Sequence, residues 1–142
     1  MKKRMSGTLM GAMLAAICVP AFAQQLEPGE WQFDTVMTSP MLPKPQTSTF
    51  TRCVKKEEAS DPSKWGGKAQ AQSDCVTTPG RKGADSYSWE LACPTSGMKG
   101  RGSARFGRGS VQSEMQMAGE LQGRNFDLTT KTSGKRLGPC KS

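Results

Sequence analysis

Hydrophobic and polar residues alternate along several short segments of the chain, as they do in β-strands with one buried face. In residues 30–38, Trp31 and Phe33 occupy alternate positions with polar residues between them. The threonine-rich residues 46–54 form a second predicted strand after a loop that contains three prolines. Residues 55–63 can hold one helical turn before a proline ends it. This half of the chain therefore predicts strands and very little helix.

The second half of the chain has the same alternation, interrupted by glycine-containing turns. Its predicted strands are residues 75–79, 86–93, 101–106, 110–118 and 124–132. Two of the links, residues 80–85 and 107–109, have the length and composition of hairpin turns. The predicted fold is mostly β: a single antiparallel meander of about seven short strands that forms a curved sheet or an open barrel, with at most one short helix.

The amino terminus has the three parts of a secretory signal peptide. A basic start, Met1–Arg4, precedes an apolar run at residues 9–19 and the small residues Ala21 and Ala23. We therefore predict a signal peptide at residues 1–23, a single β-rich domain at residues 24–142, and Sec export to the periplasm of a Gram-negative bacterium. We expect Cys18 to leave with the signal peptide, although a lipid anchor on Cys18 stays an alternative. Since no other apolar run approaches 18 residues, we expect no membrane span.

Four cysteines in the predicted domain indicate disulfide bonds: Cys53, Cys75, Cys93 and Cys140. Leu, Ile, Val and Phe make up only 14 of its 119 residues, and a small exported domain with so thin a core typically depends on disulfides. If the first hairpin turn centres on Ala84, facing residue numbers add to 168 and Cys75 lies opposite Cys93. Cys53 and Cys140 then form the other bond. The pairing of Cys53 with Cys75 and of Cys93 with Cys140 stays open as the rival.

The chain has a formal charge of +8 and contains no histidine. This excludes catalytic triads and metal sites that depend on histidine. The only dense carboxylates, Glu57, Glu58 and Asp61, neighbour two lysines on a short turn, so we interpret them as solvated. We predict no enzymatic activity and no cofactor.

Two features could bind an apolar or soft ligand. The aromatic residues Trp31, Phe33, Tyr87 and Trp89 fall at inward-facing positions, where they either line a pocket for an apolar ligand or form an ordinary core. Met115 and Met117 point to one side of a strand, and thioethers suit Cu(I). A copper site would need Met37 or Met98 nearby; otherwise these methionines fill the interior.

Basic residues cluster in the second half of the chain, at Lys99, Arg101, Arg105 and Arg108. They form either a solvated outer face or a site for anionic envelope lipid or polysaccharide, with Arg101 and Arg105 as a charged rim beside the aromatic residues. Interleaved aromatic residues are lacking, so we expect no nucleic-acid partner.

Several short motifs, in order, carry a resemblance to a known family. The opening Leu26-Glu27-Pro28-Gly29-Glu30-Trp31 is followed by the Met41-Leu42-Pro43 loop, by Ser73-Asp74-Cys75 and by the ending Ser133-Gly134-Lys135-Arg136-Leu137-Gly138-Pro139-Cys140. Together they resemble the exported bacterial proteins of domain of unknown function 3617. The resemblance implies a small, mostly β periplasmic domain and no known reaction.

These observations predict a non-catalytic periplasmic binding or accessory protein. It would hold an apolar or amphipathic envelope ligand, or a segment of a partner protein, on a concave sheet face. The alternative is a Cu(I)-binding protein that uses Met115 and Met117. The sequence leaves the oligomeric state open.

Overall fold

A computed structural model describes residues 26–59 and 74–141 of the chain. The secondary-structure elements are β1 Gly29–Thr38, β2 Gln46–Val54, α1 Lys56–Ala59, β3 Val76–Lys82, β4 Ser86–Cys93, β5 Met98–Gly107, β6 Ser110–Leu121 and β7 Arg124–Gly138. The predicted signal peptide at residues 1–23, including Cys18, lies outside the described residues. In the described part of the chain, no helix is long and apolar enough to cross a membrane.

The strands form one antiparallel sheet in the order β2-β1-β7-β6-β5-β4-β3. The predicted mostly β fold is thereby confirmed. Strands β3 to β7 follow one another as a meander, and β1 then pairs with β7 and carries β2 on its other side. Because β1 pairs with β7, the seven strands would form a closed ring if β2 also paired with β3. The sheet is open between these two strands. These two strands are the edges of the sheet.

Strand β7 is longer than predicted. The alternation ends at residue 132, but the strand continues to Gly138. Its second half pairs with β1 on one side and with β6 on the other, so the backbone is held by hydrogen bonds whatever the side chains are. Gly134 is required there, because Phe33 and Val111 both pack over it and a Cβ would lie 2.6 Å from Val111 Cγ1.

Alternation along the strands gives the sheet two distinct faces. The apolar face carries the buried side chains of all the large core residues on the strands, among them Trp31, Phe33, Tyr87 and Val111. The polar face carries the alternate residues, such as Asp34, and is exposed. One face therefore supplies the core, as the period of two predicts.

The core is deepest where α1 and the residues before β1 meet the sheet. Trp31 is 1% exposed and Val54 is fully buried, and they cluster with Leu26 and Ala59. The Leu26 amide donates to the Ala59 carbonyl at 3.2 Å, and Trp31 Nε1 donates to the Glu27 carbonyl at 2.8 Å. These bonds satisfy polar groups at the edge of the core while α1 covers one end of the apolar face.

The disulfides follow the hairpin argument. Val76 faces Ala92 and Pro79 faces Trp89, so facing residue numbers add to 168 over this stretch, before an irregularity between Pro79 and Lys82. Cys75 bonds to Cys93, and Cys53 bonds to Cys140. The rival connectivity is excluded, and each edge strand is tied to the rest of the sheet by one disulfide.

Candidate binding face

Three half-buried methionines lie together on the apolar face, beyond the fully buried core. Met115 and Met117 are on β6, and Met98 is at the start of β5. Met117 faces Gly100 on one side and Leu128 on the other, while Phe126 faces Gly119. We call the set formed by Met98, Met115, Met117, Phe126 and Leu128 the methionine patch; all five are half-buried.

Glycines in the neighbouring strands let these methionines lie across the sheet. A Cβ on Gly100 would be 3.1 Å from Met117 Cγ, and a Cβ on Gly119 would be 3.0 Å from Met98 Cγ. Met98 therefore leans over β6, on which Met117 stands two residues away from Gly119. The structure brings Met98, rather than Met37, to the Met115–Met117 pair, because Met37 is separated from Met115 by Thr130 of β7.

The four aromatic residues predicted as a ligand face are mostly interior. Trp31, Phe33 and Tyr87 are buried, and only Trp89 is half-buried. Trp31 stacks on Phe33 with ring centroids 6.1 Å apart, and Tyr87 stacks on Trp89 at 5.7 Å. Trp89 in turn lies flat over Gly102 of β5. These residues form the closed part of the apolar face, and the methionine patch forms its more open part.

A second exposed apolar feature lies at the β2 edge. Phe50 is 47% exposed, yet one side of its ring stacks on Phe33 with centroids 5.3 Å apart. The Arg52 guanidinium lies 5.8 Å from the centroid of Phe33, within the range of a cation–π contact. The aromatic row thus reaches from the core to the edge of the sheet.

The predicted basic residues lie on the other side of the sheet. Arg101 and Arg105 alternate with the buried Gly102 and Ala104 of β5, so they project from the polar face. The expected charged rim beside the aromatic residues is therefore wrong, because the period of two separates the two sets. Lys99 is on the polar face as well, and Arg108 is in the turn between β5 and β6.

The charges on the polar face are mixed rather than uniformly basic. Arg101 faces Glu90 and donates to Gln116 Oε1 at 3.0 and 3.2 Å. Lys131 Nζ lies 3.7 Å from Glu114 Oε2. Shallow grooves cross this face, and one of about 690 Å³ has Glu90 and Arg101 in its lining. Acidic residues therefore stand among the basic ones on this face, with Glu90 opposite Arg101.

Ligands for a hard metal ion are dispersed in the part of the chain that the structure describes. No three His, Cys, Asp or Glu side chains converge among the described residues, and all four domain cysteines are in disulfides. Asp74 is committed elsewhere: hydrogen bonds from Thr95, including its amide at 2.5 Å, lower the pKa of the Asp74 carboxyl below its ordinary value.

Comparison with protein families agrees with the resemblance seen in the motifs. The model of the family described as protein of unknown function (DUF3617) matches residues 26–140. The chain belongs to the DUF3617 family. The match spans all seven strands and both disulfides of this DUF3617 protein. No match is found among curated proteins or among solved structures.

The sequence singled out Met115 and Met117 but missed their neighbours on β7. Phe126 and Leu128 sit at alternate positions in the predicted strand 124–132, so their shared face was visible. The predicted meander already pairs these two strands, but their register was not visible in the pattern, and it is the register that places Leu128 opposite Met117.

Proposed function

We propose that this DUF3617 protein is a non-catalytic periplasmic binding protein that holds an apolar or amphipathic envelope molecule against the methionine patch. One observation carries the proposal: half-buried thioethers and apolar side chains continue the buried core outward on one face of the sheet. An apolar ligand would complete the burial of these side chains and gain free energy from the surface removed from water.

The chemistry of methionine supports a ligand that is apolar and variable in shape. Its unbranched, polarisable side chain adapts to irregular partners, and methionine-rich surfaces are common at promiscuous binding sites. The polar face would stay in contact with water while the ligand lies on the opposite side. A long acyl chain fits these requirements better than a compact polar metabolite.

A fluorescent long-chain fatty acid tests the proposal. We expect it to bind the oxidised protein, and we expect Met117→Gln to weaken binding by roughly tenfold, because one well-buried apolar side chain is worth about 1.5–3 kcal/mol. Titration of fluorescence at fixed protein concentration measures the affinity.

The neighbouring residue provides the control. Gln116 follows the same strand but projects from the polar face, where it accepts hydrogen bonds from Arg101. Gln116→Ala should leave fatty-acid affinity unchanged. Failure of the unmodified protein to bind, or an equal loss in both variants, would contradict a site on the methionine patch.

A second candidate function is Cu(I) binding, and the position of Met98 favours it. The register places three thioethers, from Met98, Met115 and Met117, on one face of adjacent strands. We expect Met115→Leu with Met117→Leu to leave copper tolerance of the host unchanged, because the chain has no histidine and few sulfurs to complete a copper site. A clear loss of Cu(I) affinity in competition with a chromogenic chelator would instead establish the copper site and displace the apolar-ligand proposal.

A further inference from the structure

Strand β2 is an edge strand without the features that usually prevent edge pairing. Among the described residues it pairs only with β1, and the pairing runs without a register shift from Gly29–Val54 to Met37–Gln46. The strand contains neither proline nor lysine, and Arg52 is its only charged residue. A long, regular edge of this kind presents unpaired backbone groups to another strand.

The opposite edge of the same sheet is protected. Strand β3 contains Pro79 and Gly80, has a register irregularity between Pro79 and Lys82, and ends in Arg81-Lys82. Proline, bulges and lysine are the devices that block edge-to-edge pairing. The contrast within one sheet indicates that the β2 edge has a partner strand.

We propose that the partner is β2 of a second copy, paired antiparallel about a two-fold axis at Phe50. The sequence of β2 matches itself in this register. Phe50 faces Phe50, Thr49 faces Thr51, and Ser48 faces Arg52 of the other copy. Aromatic pairs and threonine pairs are favourable directly opposite each other in antiparallel strands.

The exposure of Phe50 fits this arrangement. Its ring is stacked on Phe33 within the chain and is 47% exposed. Pairing at Phe50 would cover that surface with an identical ring and make one aromatic row across the two copies. A second copy always brings an aromatic residue to the position opposite Phe50. A strand of another protein could bring any residue there.

Electrostatics also allow a symmetric pair in spite of the net positive charge. In the proposed register the two Arg52 side chains are four residues apart along the strands, which is roughly 14 Å. This exceeds the Debye length of about 8 Å at physiological ionic strength, so their repulsion is largely screened. No two like charges within β2 face each other.

Sedimentation of the oxidised protein, purified after expression of the complete chain, tests the pairing. We expect a concentration-dependent monomer–dimer equilibrium. Thr49→Lys combined with Thr51→Lys places lysines opposite each other twice and should weaken the dimer by roughly tenfold or more. Thr49→Lys combined with Thr51→Glu places opposite charges in the same two positions and should restore dimerisation.

The matched control is on the protected edge. Thr78→Lys adds one lysine to the exposed edge strand β3 and should leave the equilibrium unchanged. Unfolding midpoints near that of the unmodified protein would show that the variants are folded. A protein that stays monomeric at all concentrations, a dimer insensitive to the two lysines, or a lysine–glutamate variant as weak as the double-lysine variant would overturn the proposal.

Discussion

At the scale of single residues, glycine positions decide where large side chains of the apolar face can lie. Trp89 lies flat on β5 because Gly102 opposite it has no side chain, and a Cβ there would overlap the indole ring. Gly134 does the same for Phe33 and Val111 on β7. Small residues in the central strands therefore let the aromatic residues pack across the sheet instead of standing away from it.

Gly102→Ala should destabilise the protein by about 1–3 kcal/mol, because the added methyl group overpacks a buried position and displaces Trp89. Denaturant unfolding, followed by tryptophan emission, measures both effects. Ser103→Ala, on the exposed polar face one residue away, should change stability by less than about 0.5 kcal/mol. Equal stability of Gly102→Ala and the unmodified protein would show that Trp89 can lie elsewhere at no cost.

At the scale of elements, two-residue turns set the register of the hairpins. Leu121 faces Arg124, so β6 and β7 are joined by Gln122 and Gly123 alone. Both have positive φ, at 52° and 74°. A two-residue turn in which both residues have positive φ matches the twist of the flanking strands. Asparagine tolerates the left-handed conformation better than glutamine does.

Gln122→Asn should therefore stabilise the protein by about 0.5 kcal/mol, since the replacement lowers the cost of the left-handed conformation. Gly123→Ala, at the next position of the same turn, should destabilise it by about 1 kcal/mol. Thermal unfolding compares the three proteins. An increase in stability on Gly123→Ala would contradict the turn geometry.

The elements were readable from the sequence where one face of a strand is buried, and less so elsewhere. Strands β1 and β2 begin and end within a residue of prediction, β1 because its alternation reflects burial and β2 because its threonine-rich run follows a proline-containing loop. The end of β7 was missed, because residues 133–136 are polar and their strand conformation comes from pairing with distant β1. The division of the apolar face into closed core and methionine patch was equally hidden, since it depends on where α1 and Leu26 pack.

At the scale of the whole molecule, the two disulfides hold the two edges of the sheet. Cys75–Cys93 spans 18 residues and ties β3 to β4, while Cys53–Cys140 spans 87 residues and ties β2 to the chain beyond β7. In the loop-entropy model these bonds are worth about 3 and about 4.5 kcal/mol. The shorter loop lies inside the longer one, so the two values do not add.

Reductant should lower the unfolding temperature substantially, and folding should require an oxidising compartment. Replacing Cys53 and Cys140 by serine should lower the unfolding temperature more than replacing Cys75 and Cys93, because the longer loop constrains the unfolded chain more. Thermal unfolding with and without reductant measures the total effect. Equal midpoints in the two conditions would mean that the bonds contribute nothing to stability.

The return of β1 beside β7 has a consequence for how the chain folds. Five of the six described strand pairings join consecutive strands, and only β1–β7 joins strands about a hundred residues apart. Arg136 Nε donates to the Pro28 carbonyl at 3.0 Å, and Lys141 Nζ lies 3.7 Å from Glu30 Oε2, so residues at the two ends of the described chain are in contact. A circular permutant that links these ends and opens between β2 and β3 would have every strand next to its sequence neighbour. Its contact order would fall, and it should fold faster than the natural connectivity, in which closing that one long loop limits the rate.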